Sequence, residues 1–155
     1  MIRVQEQDFD IGAEIAALRA GRTDVGAIAA FAGLVRDHAS GSQVTAMTLE
    51  HYPGMTEKEL ARIEREARER WPLLDCLIVH RTGRLLPGDN IVLVVTLSAH
   101  RDPAFEAAQF LMDYLKTKAP FWKSEEKNGT RQWVQARESD AAAADRWHQK
   151  HHGCD

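Results

Sequence analysis

Tyr114-Leu115-Lys116-Thr117-Lys118-Ala119-Pro120-Phe121-Trp122-Lys123-Ser124-Glu125 reads as a helix end running into a strand. Pro120 has no N–H to donate and its ring clashes with the preceding turn, so a helix cannot pass through it. The residue before it is pushed toward extended backbone. Upstream, Phe105, Ala108, Met112 and Leu115 recur at helical spacing and mark the expected buried face. Downstream, Asn128-Gly129 is a strong hairpin signal, with Arg131 to Gln135 as the return strand. The junction therefore carries Lys116 and Lys118 on a last helical turn and Lys123 on a strand, with Phe121 and Trp122 between them. Cations beside apolar walls suit an anion-binding or acid/base site, because a desolvated lysine loses its proton readily. The plainer alternative is a solvated helix end whose lysines favour the macrodipole.

Working outward, Asp102-Pro103 predicts the start of that helix, Asp102 as N-cap and Pro103 at the first helical position. Before it, Ile91 to Ala99 and Leu74 to His80 read as apolar strands flanking a Leu86-Pro87-Gly88-Asp89 turn. Met55 to Trp71 predicts an amphipathic helix with Leu60, Ile63 and Ala67 inward, Thr56 and Glu59 as its capping box, and Pro72 as its stop. Val44 to Tyr52 alternates as a strand. It is expected to pair with a buried strand over Val25 to Val35, bulged at Gly33. At the start, Ile2 to Gln5 predicts a short strand, and Asp10 to Ala20 a helix capped by Asp10 and stopped at Gly21. At the end, Ser139 to Trp147 predicts a helix with Ser139 capping. Strands alternating with helices and closing in a hairpin indicate an α+β domain of two layers, spanning 1–147, with a disordered histidine-rich tail at 148–155.

The 155 residues are 44% apolar, enough for one core. A net charge of -3 gives no global basic field, which argues against nucleic acid as a partner. No apolar run approaches membrane-spanning length and no signal peptide opens the chain. Cys76 sits in an apolar run and Cys154 in the tail, a pattern that makes neither a disulfide framework nor a zinc site. A cytoplasmic protein without a metal follows as the expectation.

Three cationic clusters stand at element ends: Arg36 with His38, His100-Arg101, and Lys116, Lys118 and Lys123. His100-Arg101 precedes a helix whose free N–H groups favour phosphate, and arginine adds a bidentate fork. Alternatively His100 caps or packs and Arg101 is merely solvated. At about 1.5 Å per helical residue, His100 and Lys116 stand on the order of 20 Å apart. One copy can hardly use both in one small-molecule site, so a homodimer with composite sites is expected. Arg137 could reach such a neighbour or be solvated. His51-Tyr52 beside a turn reads as structural.

Leu49-Glu50-His51-Tyr52-Pro53-Gly54-Met55, Ser98-Ala99-His100-Arg101, Phe105-Glu106-Ala107, Tyr114 to Thr117, Ala119 to Lys123 and Ala136-Arg137-Glu138-Ser139-Asp140 together resemble the large, catalytic subunit of molybdopterin synthase, the MoaE family. The likeness runs in order from about Ala27 to Trp147. It implies an α/β hammerhead with an added antiparallel subdomain. It also implies a homodimer within a heterotetramer, with a small ubiquitin-like sulfur-carrier subunit of the MoaD type docked at each end. That subunit's C-terminal Gly-Gly thiocarboxylate would supply sulfur to cyclic pyranopterin monophosphate, making the dithiolene of molybdopterin without a cofactor. By motif, Lys116 and Lys123 fall on the family's catalytic lysines. Arg36, His100 and Arg101 fall on its substrate-phosphate pocket, with Leu34 and Val35 beside Arg36, Ser124 and Glu125 after Lys123, and Arg137 near the site. Leu34 departs from the lysine that family members often carry. A non-catalytic adaptor holding a Gly-Gly tail is the rival reading, and a small RNA-binding module a third.

Overall fold

The computed structural model describes residues 1–134 and 138–149. Its elements in chain order are β1 (Ile2–Gln5), α1 (Ile11–Arg19), β2 (Ala27–Leu34), β3 (His38–Ala39), β4 (Ser42–Gln43), β5 (Ala46–His51) and α2 (Met55–Arg70). Then follow β6 (Leu73–Arg81), β7 (Gly83–Leu85), β8 (Asn90–Ser98), α3 (Arg101–Thr117), β9 (Phe121–Lys127), β10 (Thr130–Val134) and α4 (Glu138–Gln149). The chain is α+β.

One sheet has the order β1-β6-β8-β2 and the other β10-β9-β5-β7. In the first, alternation along β6 and β8 sends side chains to two separate cores. Leu77, Val79, Leu93, Val95 and Leu97 meet Phe9 and the inward side of α1. Ile78, Val92 and Val94 meet Leu60, Ile63 and Ala67 of α2 and Phe110, Leu111 and Leu115 of α3. Helices thus cover both faces of this sheet, adding a third layer to the two-layer expectation. Burying each such side chain contributes roughly 1.5–3 kcal/mol. At the back of α3, Asp113 is buried and gathers α4. Its carboxylate accepts from Gln109 at 2.9 Å, Arg146 at 2.8 Å and Trp147 Nε1 at 2.7 Å.

Several expectations are corrected. The strand over Ala46–His51 pairs with β7 and β9, not with Ala27–Leu34, so the two lie in different sheets. Alternation specifies a face to bury but not a partner. Among the described residues the Ala27–Leu34 strand is an edge pairing only with β8, and Ile28, Phe31 and Leu34 remain exposed instead of buried. Its register does shift between Gly33 and Leu34, as the glycine suggested.

Gly54, not Thr56, is the N-cap of α2, and Glu57, not Glu59, reaches back to it. The Gly54 N–H donates to the Glu57 carboxylate at 2.6 Å, half of a capping box, since glycine has no side chain to return the bond. Thr56 is wholly buried, its hydroxyl donating to the Pro120 carbonyl at 3.2 Å and so tying α2 to the proline junction. His100, not Asp102, is the N-cap of α3, which puts Pro103 inside the first turn, where the N–H groups have no intrahelical acceptor to lose. Phe105 points outward, 66% exposed, while Ala104, Ala107 and Phe110 face the core. The last helix begins at Glu138, ahead of Ser139. The short β3–β4 hairpin, turning through Ser40 and Gly41 at positive φ, was hidden in what reads as a Ser/Gly loop. The Asn128-Gly129 turn is as predicted, with φ of 51° and 75° in the type I′ range.

Candidate active site

A cavity of about 790 Å³ opens between the two sheets. Its walls are the end of β2, the chain from Val35 to Ser40, the inner faces of β5, β9 and β10, the β8 residues Ile91 and Val92, and the last turns of α3. The Pro120 junction builds one side of it. α3 ends at Thr117, where the Lys118 N–H donates to the Tyr114 carbonyl at 2.7 Å, and β9 begins at Phe121. Lys116 therefore reaches the cavity from the helix and Lys123 from the strand.

Along β9, Lys123, Glu125 and Lys127 all line the cavity, as the period of two requires. Ser124 points the other way, fully buried, and accepts from Arg131 Nε at 2.7 Å. Glu125 and Lys127 pair at 3.4 Å, and Lys127 also donates to the Ala39 carbonyl at 3.0 Å. Lys127 thus pins the β3–β4 hairpin, next to Arg36 and His38, against β9. Arg36 is exposed at the rim, and Lys116 forms no hydrogen bond or ion pair among the described residues. The wall is predominantly cationic, with Arg36, Lys116, Lys123 and Lys127 set against Glu125 and Asp140.

His80 is the residue that sequence reading passed over. It is next to last in β6, is 9% exposed and lines the cavity. Its ring lies flat on Phe121, with centroids 3.8 Å apart and planes 15° from parallel. Nδ1 is 2.8 Å from the Arg81 carbonyl, which can only accept, so Nδ1 carries the hydrogen and Nε2 is bare. Burial pushes the imidazole down to about 4 from 6.5. The unfolded chain therefore binds the extra proton between those values, so stability falls as pH drops through 6.5 and levels off below about 4. That shift corresponds to about 3 kcal/mol. Denaturant unfolding at pH 7 and pH 4 is expected to show wild type losing about 3 kcal/mol more than His80→Phe. Equal losses would show that the ring protonates freely in the folded chain.

Of the residues expected at a site, the cavity gathers Leu34, Val35, Arg36, Lys116, Lys123 and Glu125. Ser124 does not face it, by strand alternation. His100 and Arg101 are exposed at the start of α3 and do not line it. Arg137, Cys154 and the tail histidines His151 and His152 lie outside the described residues. Cys76 is fully buried, and burial pushes its thiol up to about 12, so it offers no thiolate to the cavity. No helix among the described residues is long and apolar enough to cross a membrane.

The family model described as MoaE protein matches residues 4–118. A Ralstonia nicotianae protein named molybdopterin synthase catalytic subunit is 59% identical over 146 residues, covering 94% of this chain and 83% of its own length. The Escherichia coli protein of the same name is 57% identical over 146 residues, with 94% and 97% covered. Among solved structures, the molybdopterin biosynthesis MoaE protein from Burkholderia ambifaria aligns with a TM-score of 0.81 at 55% identity, over 96% of this chain and 97% of that one.

Proposed function

The chain belongs to the MoaE family of molybdopterin synthase catalytic subunits, and from that premise we propose that it moves sulfur from an acyl carrier onto a pterin phosphate. The carrier is the C-terminal thiocarboxylate of a small ubiquitin-like subunit, and the acceptor is cyclic pyranopterin monophosphate. One observation carries the reading: Lys116 and Lys123 enter one cavity from opposite sides of Pro120. The cavity volume suits a small molecule together with a slender peptide end. A buried, protonated Cys76 fits a reaction whose sulfur arrives from outside.

In this mechanism the thiocarboxylate sulfur attacks a side-chain carbon of the pterin, forming a C–S bond as a C–O bond at that carbon breaks. The oxygen leaves with the phosphate or as water, and a second carrier delivers the second sulfur in the same way. Water then cleaves the acyl–sulfur bond, leaving sulfur on the pterin and a carboxylate on the tail. Lys116 moves protons and offsets charge at the attacked carbon and at the thioester. Lys123 polarises the acyl oxygen. Arg36, at the rim, takes the phosphate.

His100 and Arg101 complete that phosphate site from a second copy. The edge strand β2, with Ile28 exposed on one face and Phe31 and Leu34 exposed toward the cavity end, gives such a copy an open edge to cover. Ala27 lies beside Ser98, just before His100, while Phe31 and Leu34 border the cavity. A two-fold axis across β2 therefore brings one copy's helix start to the other's cavity.

The test is incubation with the thiocarboxylated small subunit and the cyclic pterin phosphate. Dithiolene product is expected. Tight partner binding with no product would favour the adaptor reading and overturn this one.

A further inference from the structure

The cavity wall carries a fixed polar group, the His80 imidazole, to which the proposed chemistry gives no task. His80 is clamped by its stack on Phe121 and by the Nδ1–H bond to the Arg81 carbonyl, so its ring cannot turn without losing both. Nε2 is left without a hydrogen bond among the described residues, on a ring that lines the cavity. An acceptor held rigidly and open to a cavity is placed to receive a donor from the cavity side.

The groups around it narrow the choice of donor. β1 and β8 set Val4 and Val92 in register beside it, and β9 contributes the neutral Phe121 ring. The Arg81 guanidinium turns away to the Glu6 and Asn90 carbonyls. The charged or titratable groups whose fields reach His80 are His51 on β5 and Lys116 on α3. His51 sits 3.8 Å from Glu57. Lys116 has no hydrogen-bond partner among the described residues.

We propose that His80 is a positioning residue for Lys116: its fixed, bare Nε2 accepts a hydrogen bond from the lysine amine and holds it toward the bound acyl tail. This inference deepens the sulfur-transfer reading and rests on it. A long lysine on a helix's last turn samples many rotamers, and aiming it at one reacting carbon requires an anchor. A neutral imidazole suits that task, because it accepts a hydrogen bond without cancelling the charge that Lys116 supplies. Because burial keeps the ring neutral near pH 7, it orients the amine and does not store its proton.

The test uses three substitutions and one spectrum. His80→Phe keeps the flat ring on Phe121 and deletes the acceptor; kcat should fall about 10²-fold while KM for the small subunit stays within twofold. His80→Gln can place Oε1 near the lost Nε2 and should recover most of kcat. His80→Asn, which reaches only as far as Nδ1, should not. Nitrogen NMR of the ¹⁵N-histidine-labelled protein should show a bare Nε2 whose resonance moves on Lys116→Ala. Wild-type kcat in His80→Phe, or an Nε2 resonance indifferent to Lys116→Ala, would reduce His80 to packing. The spectrum needs no turnover. If wild type proves inactive, the sulfur-transfer reading fails by itself, and the His80–Lys116 contact is still decided.

Discussion

Lys116→Ala is expected to abolish dithiolene formation, with a loss of at least about 10²-fold and as much as 10⁴-fold in kcat, the range typical of a positioned acid/base group. Affinity for the small subunit should stay within a few-fold, because one cavity lysine contributes little to an interface of ordinary size. The side chain is exposed inside the cavity and bonded to nothing that holds the fold, so the variant should unfold at the wild-type temperature. Lys116→Arg should fail as well. A guanidinium keeps the positive charge but cannot shed a proton near neutrality, and its wide fork does not fit a place made for a point donor. An Ala variant that turns over normally would remove Lys116 from the chemistry. Recovery of activity in the Arg variant would show that charge alone is what the site requires.

The second large effect is complementation between two inactive chains. A copy carrying His100→Ala and Arg101→Ala keeps its cavity lysines, and a copy carrying Lys116→Ala keeps its helix start. Each alone should be nearly inactive. Co-expressed in equal amounts, they should recover roughly a quarter of wild-type activity, because half the dimers are mixed and each mixed dimer has one intact composite site of two. Adding Phe31→Asp to both chains should abolish the recovery, by placing a charge on the exposed β2 edge. No recovery in the unmodified pair would mean that all the groups act within one copy, despite their placement at opposite ends of α3.

The arrangement around Pro120 was largely legible in the chain. A proline between a helical stripe and an alternating run states its own geometry, and Lys116 and Lys123 lie where that geometry puts them. The α2 stripe of Leu60, Ile63 and Ala67 was equally plain. His80 was not. A histidine closing an apolar strand looks like any strand end, and its one hint is that every residue from Cys76 to Val79 is buried, so the next position falls at the edge of a core. Phe105 misled for the opposite reason: on helical spacing it fits a buried face, yet at the first turn of α3 that face has already turned past the sheet. The β2 edge misled too, since an all-apolar strand reads as buried whether a second sheet or a second chain is to cover it.

The amino-acid sequence by itself determined the longer elements, most of their caps and turns within a residue or two, the inward stripe of α2, and the lysines flanking the proline. These depend on backbone freedom and on periodicity, which neighbours along the chain set. Only the tertiary structure decided which strand pairs with which, that Ser124 turns away while Glu125 turns in, that Lys127 ties a hidden hairpin to the cavity wall, and that His80 shares that cavity with Lys116. Those outcomes come from contacts between residues dozens of positions apart, where many pairings satisfy the local pattern and the free energy of one shared core selects among them.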